Sequence, residues 1–279
     1  MKKLWMIFGK GTPQKKHYCK AADELKINYE AFDVPFFEFK GKKFFYHGNE
    51  IKDLPDIVFI RCIDVSVELA VYNFFEKHNI RVINTKEAHK NCEDKFITYR
   101  LMKENKIAQP KTIVRPQKLG FDKISQKLGI SFVVKSRWGS GGNDVCLVKD
   151  NLDFEKISKQ IEPNQMLAQE YIKNSFGKEL RTYIIDNKVV GAIFRTNKKD
   201  FRSNATGDSV KQTQISDNAA QLCVRIAKIL KGEAISVDFL VDNDKLLFLE
   251  ANVTPAVTEA IELGIPLEIY NLKYIMKFL

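Results

Sequence analysis

Two carboxylates, Asp238 and Glu250, stand on apolar runs, Ile235-Ser236-Val237-Asp238-Phe239-Leu240 and Phe248-Leu249-Glu250-Ala251-Asn252. The segment Val241-Asp242-Asn243-Asp244-Lys245 between them reads as a hairpin turn, and pairing about it brings both acids to one end of a ladder. Carboxylates held together on strands this apolar need a cation to neutralise them. Asn252, two residues past Glu250, shares its face if the strand continues. Two carboxylates and an amide oxygen are hard ligands, suited to magnesium carrying nucleotide phosphates. The plainer alternative is a pair of solvated acids at strand ends.

A second group lies upstream. Ile130 to Lys135 reads as a strand ending in a lysine, followed by Trp138-Gly139-Ser140-Gly141-Gly142-Asn143. Glycines let backbone N–H groups approach phosphate oxygens because no Cβ intervenes, and the lysine can reach the same phosphates. The lysine precedes the glycines and no GK[ST] follows, so this is not a Walker A loop; a plain hairpin turn fits the same residues. Trp138 either covers a nucleotide or packs. Gln169-Glu170-Tyr171-Ile172, after Met166-Leu167-Ala168, could offer backbone groups to an adenine edge or be structural. Arg61 and Arg195, each at the end of an apolar strand, are candidate clamps for a substrate carboxylate, with a surface salt bridge as the alternative for both. The histidines His17, His47, His78 and His89 form no motif.

These residues need elements to carry them. Strand signals at Leu4–Phe8, Asp56–Arg61 and Arg81–Asn84 alternate with helix signals at Gln14–Leu25 and after Asp64, a candidate N-cap, which predicts a parallel sheet with crossover helices. Aromatic runs from Phe36 to Tyr46 about Gly41 predict an inserted hairpin. A helix around Asp94–Glu104 must stop before Pro110. Further strands are expected at Asp144–Val148, Met166–Gln169, Glu179–Ile185, Val189–Phe194, Ala234–Val241 and Lys245–Glu250, with a helix at Asn218–Leu230. The fold class is α/β, in lobes of residues 1–90, 91–165 and 166–279.

The 279 residues are 44% hydrophobic and 29% charged, the composition of a soluble globular protein, with no apolar stretch long enough for a bilayer. The five cysteines are scattered without CxxC pairs, which suggests free thiols in a reducing cytoplasm. A net charge of +10 comes from lysines spread along the chain, not from a dense basic arm, so it argues little for nucleic acid and suits a polyanionic substrate.

Taken together, these pieces resemble the ATP-grasp enzymes, and within them the RimK-like branch that ligates glutamate or similar amino acids. The likeness is closest from Gln169 to Asn252, through Gln-Glu-Tyr-Ile-Lys, Asp200-Phe201-Arg202-Ser203-Asn204 and Val237-Asp238. Asp94-Lys95 with Leu101 and Gln109-Pro110-Lys111-Thr112 is similar to the entry of the ATP-grasp region. The resemblance implies an ATP-grasp fold, with a Rossmann-like first lobe and two α+β subdomains clasping ATP. It implies that Lys95 and Lys135 bind phosphates under the loop from Gly139 through Ser140 and Gly141 to Gly142. Gln169, Glu170, Tyr171 and Ile172 would form the adenine hinge, Glu179 would take the ribose hydroxyls and Arg202 would face the γ-phosphate. Asp238, Glu250 and Asn252 would hold magnesium, with manganese as an alternative ion. Arg202, Lys135 and Asn252 are the residues expected to act in catalysis. Ser203, Asn204 and Thr254, with Arg61 and Arg195, would meet substrates.

The implied reaction joins an amino-acid donor to a carboxylate-bearing small molecule, peptide or protein through an acyl phosphate. No membrane partner is expected, and a homo-oligomer is compatible with the sequence. Two other readings are a regulatory ATP-binding module without ligation and a basic nucleic-acid or ribosome-binding protein. The chain departs from the branch in Gly141-Gly142-Asn143-Asp144, in Ala205-Thr206-Gly207-Asp208, and in Thr254-Pro255-Ala256 where the branch has Ser-Pro-Gly.

Overall fold

The computed structural model describes residues 2–62, 65–139, 142, 144–203 and 209–279. The expected Asp64 cap lies outside them. Leu4–Phe8 is a strand buried along its whole length, as an unbroken apolar run requires when both faces of a parallel sheet are covered. It lies between Tyr29–Asp33 and Ile57–Arg61, with Arg81–Ile83 beyond, all parallel. The helices Gln14–Glu24 and Val65–Lys77 make the crossovers. The period of two is visible in the packing. Trp5 and Ile7 enter one core with Phe32, Phe44 and Phe75, whereas Leu4, Met6 and Phe8 enter another.

The hairpin expected from Phe36 to Tyr46 pairs Phe37–Lys40 with Lys43–Tyr46, and Asn49–Ile51 adds a third strand. The Tyr29–Asp33 strand was not legible beforehand; only Phe32 along it is buried, so no alternation marks it.

The middle of the chain forms an antiparallel sheet ordered Val145–Val148, Phe132–Ser136, Met166–Glu170, Thr112–Val114. Helices Gly120–Leu128 and Asn151–Ser158 close its own core around Phe132, Val134, Ile124 and Phe154. Asp94 caps the Lys95–Glu104 helix by accepting from Phe96 N and Ile97 N.

The last sheet has five antiparallel strands in the order Val210–Gln212, Lys188–Thr196, Lys178–Ile185, Ala234–Asp242, Lys245–Asn252. The helix Asp217–Leu230, capped by Ser216, buries Cys223, Ile226, Ala227 and Leu230 in a core with Val237, Phe239 and Phe248. The opposite face carries Glu179, Arg181 and Asp238 towards one end and Tyr183, Ile185, Ile193 and Ala234 towards the other, so it is polar over only part of its length.

The first and last sheets are joined directly. Tyr183, Ile193, Val257 and Ile265 share a core with Leu4, Met6 and Phe8. Buried Asn84 accepts from Glu233 N and Ala234 N at 2.8 and 2.8 Å and donates to Ala234 O and Val253 O at 2.7 and 3.1 Å. One amide thus satisfies backbone groups at the start of one strand and just past the end of another.

Candidate active site

A cleft of about 930 Å³, counting its open mouth, lies between the middle sheet and the polar face of the last one. Lys95, Lys135, Gly139, Gly142, Gln169, Glu170, Tyr171, Ile172, Glu179, Arg202, Ser203 and Glu250 line it. The chain brings these together from both sheets and the connections around them. Ser140, Gly141 and Asn204 lie outside the described residues.

Lys135 is buried at the end of its strand, and burial with the nearby Lys95 charge pushes its ammonium down to about 8. Its Nζ donates to Gln169 Oε1 at 2.9 Å, and Gln169 Nε2 donates onward to Thr112 Oγ1 at 3.0 Å. A buried lysine that donates to a neutral amide can turn to an anion without breaking an ion pair. Lys95 donates to the carbonyl of Gly139 at 2.6 Å, and Arg202 Nη1 donates to that of Gly142 at 2.9 Å. The described ends of the glycine segment are therefore drawn towards two cations. Gly139 has φ +112°, which disfavours any side chain there. Asp200 orients Arg202 through Nε and Nη2 at 3.0 and 2.8 Å, and this pairing pulls the Asp200 carboxyl below its ordinary range.

Asp238 and Glu250 are register partners across adjacent strands, as the turn between them predicts, and Ser236 opposes Asn252. Asn252 Nδ2 donates to Asp238 Oδ2 at 3.3 Å. Among the described residues no three His, Cys, Asp or Glu side chains cluster as a metal site; the candidate set here is two acids and one amide. Burial pushes the Asp238 carboxyl up, against the pull of Arg181. Burial acts the same way on Glu250, but Lys95, Arg181 and Lys135 outweigh it and leave Glu250 below the usual range. Closely set, desolvated oxygen ligands of this kind fit a divalent ion, whose charge relieves the penalty on both acids.

Arg181 is the residue that sequence reasoning missed. Its Nε and Nη2 donate to the two oxygens of Asp238 at 2.7 and 2.6 Å, in a pair that is almost fully buried. The register sets Arg181 opposite Asp238. A polar residue two positions from Glu179 on an apolar strand was the available signal, but the neighbour across the sheet could not be read from it. A second missed pair, Asp94 with Arg137 Nε at 2.8 Å, ties the start of the Lys95 helix to the segment leading into the glycines.

The expected clamps are engaged by the chain itself. Arg61 Nη2 donates to Gln14 Oε1 at 2.5 Å and to the carbonyl of Pro255, and Arg61 is 2% exposed. Arg195 is held between Glu179 and Glu259. Neither is the surface ion pair weighed as the alternative, because both side chains are buried. Glu179 also accepts from Ser203 Oγ at 2.7 Å. Thr254 is half-buried in the turn after Asn252. Gly177 lets the chain turn before Glu179: its φ is +60°, and a Cβ there would lie 1.8 Å from the Asn197 carbonyl oxygen.

Two antiparallel sheets facing across a cleft, one bringing a lysine and glycine segment and the other paired carboxylates, define the ATP-grasp class. The fold is shared with the solved ATP-grasp ligase PsnB complexed with a minimal precursor, at a TM-score of 0.76 and 15% identity over 100% of both chains. More narrowly, the RimK-like ATP-grasp domain matches residues 92–275, and the chain belongs to that family. It is thus an ATP-grasp ligase, of the kind that forms carbon–nitrogen bonds and releases ADP, and use of ATP with a divalent ion goes with the family. A protein of Mycoplasma genitalium described as uncharacterised is 29% identical over 93% of this chain and 94% of its own. A probable alpha-L-glutamate ligase of Shewanella pealeana is 30% identical over 78% of this chain, which spans only 49% of that relative. Among the described residues no helix is long and apolar enough to cross a membrane.

Proposed function

We propose that this chain converts a substrate carboxylate to an acyl phosphate with ATP and then joins it to an amine. The observation that carries the reading is the convergence on one cleft of Lys95, Lys135 and Arg202 with Glu250, next to the buried Asp238. A carboxylate is a poor electrophile, and phosphoryl transfer to it is mainly a matter of positioning and charge neutralisation. Lys95, Lys135 and Arg202 would exchange their present carbonyl and amide partners for phosphate oxygens. Gln169 to Ile172 would meet the adenine, and Glu179 the ribose. Asp238, Glu250 and Asn252 would hold magnesium or manganese, which supplies charge neutralisation at the phosphates. Arg181 opposes the burial that favours the neutral form of Asp238 and orients its carboxyl. Residues 1–90 would supply part of the substrate wall through Arg61 and its contact with Pro255, with residues 91–165 and 166–279 forming the clasp.

The names of relatives such as the Shewanella protein support an amino acid among the reactants, joined to a small molecule, a peptide or a protein. The test is release of ADP and phosphate from ATP and magnesium across paired acids and amines. Release that requires both partners is expected. ATP binding with no amine-dependent release would instead indicate a regulatory module.

A further inference from the structure

Lys95 and the glycine segment stand on separate elements, yet three connections fasten them. Lys95 N donates to the carbonyl of Arg137 at 3.3 Å, and Lys95 Nζ to that of Gly139 at 2.6 Å. The third is a side-chain pair: Arg137 Nε donates to Asp94 Oδ1 at 2.8 Å while Nη2 reaches Oδ2, so the guanidinium takes both oxygens of one carboxylate. Asp94 is 1% exposed, and its Oδ1 also accepts from Phe96 N and Ile97 N at 3.0 and 3.4 Å. One carboxylate therefore fixes both the first turn of the Lys95–Glu104 helix and the residue two places before Gly139. Arg137 is held in turn. Its N donates to Gln165 O at 2.5 Å, and its guanidinium centre lies 4.7 Å from the Phe96 ring centroid and 5.0 Å from that of Trp138. Lys95, Trp138 and Gly139 line the cleft, whereas Asp94 and Arg137 are not among its lining residues.

We infer that Arg137 is a positioning residue for the outer phosphates of ATP: through Asp94 on one side and Trp138–Gly139 on the other, it keeps Lys95 and the glycine segment aimed at one place while Lys95 changes partner. The inference rests on the reading of the cleft as an ATP site and deepens it. On that reading the Lys95–Gly139 connection is the one a nucleotide breaks, because the ammonium leaves the carbonyl for phosphate. The other two do not involve Nζ and persist through the exchange. Alignment matters here, since a misplacement of about 1 Å can cost on the order of a hundredfold in rate. A plain counter-charge for buried Asp94 would be a different role, met by any cation within reach. The two-oxygen grip calls for the planar fork of arginine, which lysine lacks.

Calorimetric titration of the whole chain with ATP and with AMP, each with magnesium, tests this. Arg137→Lys keeps a cation beside Asp94, and is expected to weaken ATP binding about tenfold or more. AMP lacks the outer phosphates, and its affinity should move by less than about twofold. Asp94→Asn keeps an acceptor for the helix cap and gives up the charge, so it should show the same selective loss. The double variant should be no weaker than the worse single one, since both substitutions act on one pair. Wild-type ATP affinity in Arg137→Lys, an equal loss for AMP and ATP, or losses that add in the double variant overturn the inference. Should Arg137→Lys not fold, Asp94→Asn carries the same comparison. Because the readout is binding, a chain that takes up ATP but releases no ADP with any amine fails the ligase reading alone, and the ratio of ATP to AMP affinity still decides the role of Arg137.

Discussion

The two ends of the cleft hold their cations differently. At the glycine-loop end, Lys95 and Lys135 rest on the Gly139 carbonyl and the Gln169 amide, and Arg202, paired with Asp200 on one edge, turns only Nη1 to the Gly142 carbonyl. At the other end, Arg181 and Arg195 are locked to the carboxylates of Asp238, Glu179 and Glu259. A charge on a neutral partner gives it up to an arriving phosphate with little loss. A buried charge on a buried counter-charge, as in Arg181–Asp238 and Arg195–Glu179, does not, because separation strands both in low dielectric. The first arrangement belongs to a region that exchanges ligands, and the second to one that holds its shape.

Substitutions sharpen that contrast. Arg181→Ala should be the most damaging to folding, lowering stability by about 3–5 kcal/mol in urea titrations because Asp238 is left buried and unpaired. Recovery on adding Asp238→Leu would show that the penalty was the stranded charge, and no recovery would break the contrast from the acidic side. Glu250→Ala should raise the reaction barrier by about 2.7–4 kcal/mol, a loss of roughly a hundred- to a thousandfold in ADP release, with the circular dichroism spectrum unchanged. Arg202→Ala should behave alike, and normal turnover in either would remove that residue from the chemistry. Lys135→Met should move stability by less than about 1 kcal/mol, since its hydrogen bond is to a neutral amide, yet weaken ATP binding measured by calorimetry.

The smallest effect concerns pH. Lys135 sits near 8 in the free protein, and phosphate favours its charged form, so binding raises its pKa. Affinity for ATP is then full below 8 and falls as pH rises through it, by about tenfold from pH 7 to 9. Lys135→Met should abolish that slope, and a flat wild-type profile would show that the lysine does not meet phosphate.

How far the sequence reached follows the same division. The Asp238–Glu250 pairing was legible because the strands adjoin in sequence and Asp242-Asn243-Asp244 marks the turn; Asn243 does adopt a positive φ of 53°. The Lys135 strand was legible from its apolar run into glycines. Arg181 was not, because its partner lies across strands that are neighbours in space but separated by the Asp217–Leu230 helix in the chain. Arg195 looked like a free clamp for a related reason: Glu259 reaches it from a helix that carries no periodic signal of its own. Local patterns reveal which residue types stand ready, whereas partners distant in the chain decide whether their charges are available.

The four hydrogen bonds of Asn84 have a mechanical consequence. They bolt the first sheet to the open end of the strand pair that carries the acids, away from its turn, and the shared core beneath leaves those parts as one platform. Any narrowing of the cleft around a nucleotide then falls to the middle sheet, which folds around a core of its own. Amide exchange on adding ATP should slow mainly along residues 132–139, 144–148 and 166–172, while the platform changes little.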